Sequence, residues 1–313
     1  MNGLARRGDV PLALLQAARP RSLLRAALLE WFWIGGCWLA MAHGPALLLP
    51  LWTLAVAGRL HALGVVLHDA CHLRRRHATP AVRLVELLAG FPVMSTLAAM
   101  RYHHLRHHHH SGTSLDPYFK PGASDRIGPA LLGRLRGLVL PLAWYLRAYL
   151  GCLALPVPGL RNIYAHVFLG DRATGDLAQH AQVRRCLRAE PAQALFFLAL
   201  LPLAVARPGA VCIAYVVPLC VAGLLNANRV IAEHLHVPCA GRDMQSTLAT
   251  TRTHAGGLLE RAFLYPRHIG LHAVHHLHPG AAMQALPALH AWYLANEPAY
   301  RGQGPTRAPR RPA

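Results

Sequence analysis

Lysine and acidic residues are scarce in this 313-residue chain: Lys120 is the only lysine, and 13 Asp and Glu stand against 32 Lys and Arg, for a formal net charge of +19. Charge of that sign suits anionic lipid or nucleic acid. No basic stretch is interleaved with aromatics on a soluble segment, which argues against nucleic acid. The seven cysteines (Cys37, Cys71, Cys152, Cys186, Cys212, Cys220 and Cys239) contain no C-x-x-C pair and are odd in number. That pattern excludes a thiolate metal knuckle and a closed disulfide framework, and it reads as thiols in a reducing compartment. No cleavable leader is expected either, since the first apolar run, Leu23 to Ala42, ends without a small-residue cleavage site and reads as a retained span. There is no internal repeat and no alternating β-strand pattern.

What is present is apolar surface. Hydrophobic residues make up 54% and charged ones 14%, a balance that places part of the chain in lipid. Four apolar segments stand out, at Leu23 to Ala42, Pro45 to Val66, Ala192 to Ala206 and Gly209 to Asn226. Only His43-Gly44 separates the first pair and Arg207-Pro208 the second. The expectation is therefore an all-α integral membrane protein with four transmembrane helices in two hairpins. Everything else, including nearly all the arginine, falls on one side, which the positive-inside rule makes cytoplasmic, here a bacterial inner membrane with both termini inside. Residues 1–21 read as an N-terminal cytoplasmic tail, 22–302 as the membrane domain with a helical cytoplasmic cap, and 303–313 as a disordered Pro/Arg-rich tail. Val82 to Met100 reads as a membrane-surface or re-entrant helix. Leu131 to Leu155 reads as one or two amphipathic interfacial helices.

The chemistry lies in the 22 histidines. The second span runs into His68-Asp-Ala-Cys-His72, two imidazoles four residues apart on one helical face. Next comes His104-Leu-Arg-His107-His108, a three-ligand surface, with His103, His109 and His110 pointing elsewhere. The pattern recurs as His272-Ala-Val-His275-His276, and Glu233-His234 closes the fourth span, making nine candidate imidazoles at one mouth. Imidazole suits Fe, Zn, Cu and Ni, and a closed zinc site takes four ligands, so this number implies two metals. Asp69, Asp116 and Glu233 are candidates to accept from imidazole N–H groups and fix their tautomers. Tyr102, Trp144, Tyr145 and Tyr164 read as interface anchors or as the lining of an acyl tunnel, and His61 as a hydrogen-bonded histidine inside the second span.

In these boxes and their order the chain resembles the membrane fatty acid desaturase family, from about Arg21 to His290. Arg229-Val-Ile-Ala-Glu233-His234 is similar to the family's R-x-x-x-E-H segment, Arg252-Thr253 to its R-T element, and Leu286-Pro287 to His290 to its L-P-x-x-H ending. The resemblance implies that His68, His72, His104, His107, His108, His272, His275 and His276, with His234 as a ninth, hold two Fe ions. It also implies that O2 is co-substrate, that a lipid or acyl chain is desaturated, and that electrons come from a ferredoxin-, rubredoxin- or cytochrome-type donor. The chain departs from the family after the first box, at Leu73-Arg-Arg-Arg. It departs again at Asp116-Pro117-Tyr118, where D-P-D is common, and at the third box, which begins with His272 instead of Gln.

Two other readings fit the same residues. Hydroxylation or ketolation of a lipid or carotenoid, or desaturation of a smaller amphiphile, needs only a different fate after the first hydrogen abstraction. A membrane metal transporter would place its ligands near mid-span, whereas these clusters sit at span ends.

Overall fold

The computed structural model describes residues 10–74, 79–119, 127–239 and 241–302. The tail 303–313, residues 1–9 of the expected N-terminal tail, and Arg75 and Arg76 lie outside the described residues. Among those described, every named element is helical, and the one extended pairing is an isolated antiparallel bridge between His234 and Thr251.

Helices α1 (Pro20–His43) and α2 (Leu49–Cys71) form the first hairpin. Pro20 opens α1 at a position whose N–H would have no intrahelical partner, and Gly44 ends it by donating to Ala40 O at 2.8 Å. Leu23, Ala27 and Ile34 of α1 and Val56, Leu60 and Leu63 of α2 share one core. Leu28, Leu29, Phe32, Trp33 and Leu39 face outward. An apolar surface of this extent is unfavourable in water and ordinary against lipid.

Helix α3 (Pro80–Val85) continues through a π-helical turn, Glu86–Gly90, and a 3-10 turn, Phe91–Val93. The backbone then breaks at Met94, whose φ of 61° is left-handed, and α4 (Leu97–His110) departs at 79°. Side chains from three other elements satisfy the carbonyls freed by this break. Trp31 Nε1 donates to Leu88 O at 2.7 Å, Tyr215 OH to Pro92 O at 2.7 Å, and Arg147 to Met94 O at 3.0 Å. Thr96 caps α4 by accepting from Ala99 N at 3.1 Å, and Glu86 accepts from Leu97 N at 2.7 Å. Irregular backbone at membrane depth persists only when its polar groups are met in this way.

Helix α5 (Ile127–Ala154) is one continuous helix with Pro141 inside it. Its segment Leu131–Ala154 is long and apolar enough to cross a membrane, as are Pro20–His43, Ala46–Cys71, Ala181–Ala206 and Pro208–Glu233. Five such helices stand where four were expected: of the arginines that marked this stretch as interfacial, Arg134 and Arg136 are confined to its first turns and Arg147 is buried against Glu190. After α6 (Pro158–Ile163) come α7 (Ala181–Ala206), the short α8 (Pro208–Val211) and α9 (Val217–Glu233), with the second hairpin turning at Arg207. Helix α7 begins at Ala181, well ahead of the apolar run at Ala192, because its first turns are helical but polar. Helices α5 and α9 meet backbone to backbone: a Cβ on Gly137 would stand 2.6 Å from Gly223 O.

The remaining elements are α10 (Met244–Thr250), α11 (Leu258–Phe263), α12 (His272–Leu277), α13 (Leu286–Asn296) and α14 (Pro298–Arg301). All of these except α11, whose Phe263 packs against Gly58 of α2, contribute to a second core, in which Val65 of α2 meets Leu248, Ile269, Val274, Met283 and Leu289. His61 of α2 donates from Nδ1 to Phe263 O at 2.8 Å, the bonded role expected of it.

Candidate metal centre

Four elements bring histidines to one place: the end of α2, α4, the residue that ends α9, and α12. Each end is fixed locally. Arg101 of α4 donates from Nε to Cys71 O at 3.0 Å and from NH2 to Leu73 O at 2.8 Å, holding the turn that carries His72. After α9, Leu235 N donates to Thr250 O at 2.9 Å and Arg252 N to Glu233 O at 2.8 Å, which fixes the backbone around His234.

The imidazoles form two groups, His68, His72, His104 and His275, and His107, His234, His272 and His276, with the ligand nitrogens of each group within 4.8 Å of one another. His108 adjoins the first group, its Nε2 standing 2.8 Å from His104 Nε2 and 3.0 Å from His275 Nε2. In the second group the Nε2 atoms of His234 and His272 are 3.0 Å apart, those of His272 and His276 3.0 Å, and those of His276 and His107 3.2 Å.

Helix geometry explains the division. At about 100° per residue, side chains four apart diverge by about 40°, and side chains three apart by about 60° in the opposite sense. His68 and His72, His104 and His108, and His272 and His276 are four apart, and each pair stays together. His107 and His275 are three from the first histidine of their boxes, and each turns to the other group. Each H-x-x-H-H box, expected as one three-ligand surface, is shared between the two groups.

The carboxylates separate as well. Asp116 Oδ1 accepts from His107 Nδ1 at 2.8 Å and from Tyr118 N at 2.8 Å. Glu233 Oε2 stands 3.3 Å from His272 Nδ1, as a close ionic contact without aligned hydrogen-bond geometry, and pairs with Arg229 at 2.5 Å. Both contacts engage Nδ1 and leave Nε2 facing the other imidazoles, the arrangement that sets the tautomer of a metal-binding histidine. Asp69 does not join them. One residue beyond His68, it points about 100° away, and accepts from Met283 N at 3.4 Å.

Burial, and then the neighbouring imidazoles, hold His234, His272, His275 and His276 below the ordinary imidazole range, while burial and Arg101 bring His72 down to about 3. Neutral rings keep a lone pair free for a cation. Both ring nitrogens of His68 and Nε2 of His72 are buried without a hydrogen-bond partner, a cost of about 1–3 kcal/mol for each such group. Metal ions between these nitrogens would remove that cost, so the residues fit a pair of imidazole-bound ions.

Several other expectations meet the structure here. His103 turns to Leu169 O at 2.9 Å and His109 to Arg242 at 3.2 Å, while His110 lies against the His109 ring, so all three leave the groups. Thr253 and His290, from the R-T and L-P-x-x-H elements, meet on Tyr300 OH at 3.4 and 2.7 Å, outside both groups. Tyr102 and Tyr164 are buried rather than placed as interface anchors; Tyr102 OH donates to Asp171, and Tyr164 OH to Glu190 at 2.6 Å. Sequence reasoning missed Arg101, and it missed Asp171, which accepts from Arg106 at 2.7 Å. It also missed the role of the Tyr118 ring, whose centroid lies 4.3 Å from that of His107. None of these carries a spacing signal, because each acts between separate elements and not along one helical face.

Fold and site thus define a helical protein with a lipid-compatible surface and two buried imidazole groups able to hold metal ions. The family described as fatty acid desaturase matches residues 38–306, a span that includes all nine histidines. The chain belongs to the fatty acid desaturase family. No curated protein matches it.

Proposed function

We propose that the chain is a membrane-bound, O2-dependent acyl-lipid desaturase whose histidines hold two iron ions. Family membership makes it an oxidoreductase of the desaturase and hydroxylase type. The observation that carries the finer reading is the pairing of two adjacent all-imidazole groups, the second with two members, His107 and His272, each contacted by a carboxylate. In the reaction a CH2–CH2 unit, O2, two electrons and two protons become a CH=CH unit and two waters. Bound iron would supply O2 activation and the power to oxidise an unactivated methylene.

The chain's own residues do the rest. His68, His72, His104, His108 and His275 would hold one ion, and His107, His234, His272 and His276 the other. Asp116 and Glu233 orient His107 and His272, Arg229 balances the charge of Glu233, and burial of the array keeps bulk water out. Electrons would arrive from a ferredoxin-, rubredoxin- or cytochrome-type donor, for which an arginine-rich face suits an acidic surface.

We further propose that the site and both termini are cytoplasmic, with α1, α2, α7 and the α8–α9 unit crossing the membrane. Contacts on either side of α5 support this. Asp116, before it, touches His107, and Leu169 and Asp171, after it, touch His103 and Tyr102. The chain therefore leaves and regains the site end across α5 and the six-residue α6. That argues against α5 as a lone crossing, despite its length and apolarity.

Iron analysis and lipid profiling test the function. Purified protein is expected to carry about two Fe per chain, and a host expressing it to accumulate alkenes that are absent with His272→Ala. Hydroxyl or keto products would move the assignment to the hydroxylase or ketolase branch. Zinc alone, with activity independent of iron, would refute the iron reading.

A further inference from the structure

Beside the first histidine group, between α4 and the start of α7, lies a cavity of about 960 Å3. His72 and Cys71 contribute to its floor and Leu97, Leu105 and Ala189 to its walls. Arg74, Arg101, Arg106, Arg185 and Arg188 also line it, against a single carboxylate, Glu86. Part of this charge is committed elsewhere: Arg101 caps α2, Arg106 pairs with Asp171, and Glu86 is engaged by Leu97 N. Arg185 and Arg188 are not. Both are exposed, and among the described residues neither forms an ion pair.

Two like charges three residues apart on one helix repel each other, and here they border an apolar-walled cavity with no counter-charge to spare. Guanidinium groups recognise phosphate oxygens through paired N–H donors, which a lysine does not reproduce. The volume falls at the upper end of the range for small-molecule sites, about 300–1,000 Å3. That is ample for a charged head and the first part of an apolar chain, and far more than an inorganic anion needs. A neutral head would leave the arginines unmatched.

We infer that this cavity binds the phosphate-bearing head of the amphiphile whose chain the enzyme oxidises, with Arg185 and Arg188 grasping the phosphate. The identity of the chain rests on the lipid-oxidation reading above. Recognition of phosphate rests on the cavity alone. Because His72 is common to the cavity and the first histidine group, a head held here would leave its chain beginning next to the metal centre.

The test is binding, read without turnover. Full-length protein with its own metal, in nonionic detergent, is titrated in parallel with palmitoyl-CoA, with short-chain phosphatidylglycerol, and with a monoacylglycerol as the phosphate-free control. At least one phosphate ligand should bind about tenfold or more tighter than the control, and Arg185→Gln/Arg188→Gln should abolish that difference while leaving control binding and melting temperature unchanged. Arg185→Lys/Arg188→Lys should retain part of it, as a point charge would. The tighter of the two phosphate ligands identifies the source as a soluble nucleotide carrier or a bilayer phospholipid. Equal binding of all three ligands, or an undiminished difference in the Gln variant, would overturn the inference. So would loss of an acidic ferredoxin's binding in that variant with phosphate binding intact, which would assign the arginines to a redox partner. A protein that binds the phosphate ligand but yields no oxidised lipid would refute the function and leave the site standing.

Discussion

Asp116 accepts hydrogen bonds from the ring of His107 and from the amide of Tyr118, both at 2.8 Å, so one buried carboxylate joins a second-group histidine to the loop that follows α4. Removing it as Asp116→Ala should leave His107 free to rotate and to take either tautomer. Metal affinity in a chelator competition is expected to fall about 10–100-fold. Asp69→Ala is the contrast, since Asp69 bonds only a backbone amide among the contacts seen here; it should lower stability and leave metal affinity near that of the parent. Equal affinities in the two variants would remove Asp116 from its orienting role.

Arg147 of α5 lies 3.0 Å from Glu190 of α7 and donates to Met94 O, and both charged residues are buried. Arg147→Leu strands the carboxylate and the carbonyl together, and a loss of about 3–5 kcal/mol is expected from the uncompensated charge. Arg147→Leu/Glu190→Leu should recover most of the melting temperature. A double variant no better than the single one would place the cost at Met94 O and at the Tyr164 hydroxyl instead.

The contact of α5 with α9 depends on glycine. A Cβ at Gly223 would stand 2.2 Å from Gly137 O, a backbone atom that cannot swing aside. Gly223→Val should force the helices apart at a cost of about 1–3 kcal/mol or more. Gly64→Ala, in α2 with nothing within 4 Å of the added atom, should be neutral or mildly stabilising. Thermal melts of the two in one detergent decide it.

Stripping the metal should destabilise the protein as a whole, because the imidazole groups join α2, α4, α9 and α12. At free metal 100 times its dissociation constant, the bound ion contributes about 2.7 kcal/mol per site. A chelator is therefore expected to lower the melting temperature of the parent, and to leave His107→Ala/His108→Ala/His275→Ala, already metal-poor, unchanged. A parent that melts identically with and without chelator would argue that the array is held by packing alone.

Much of the site is legible in the letters. The three boxes and Glu233-His234 name nine imidazoles, and the spacings of three and four place them on helical faces regardless of what those helices pack against. The same spacings also contain the division between the two groups, since about +40° and −60° are properties of any α-helix. The division becomes readable only once a partner is known to stand on each side.

Long-range choices were not legible. Asp69 and Asp116 look alike in sequence, yet one reaches a backbone amide and the other an imidazole, because the loop bearing Asp116 folds back over α4. Arg101 and Arg147 gave no signal, since the carbonyls they bond are freed by a helix end and a backbone break elsewhere in the chain. The apolar stretch of α5 reads the same whether it crosses lipid or lies along it. Periodicity and residue chemistry act over one helical turn, and these the sequence alone determined: the helical class, the long apolar runs and the list of candidate ligands. Which imidazoles stand together, which carboxylates contact them, and where five arginines line a cavity depend on contacts between separate elements, and only the tertiary structure decided them.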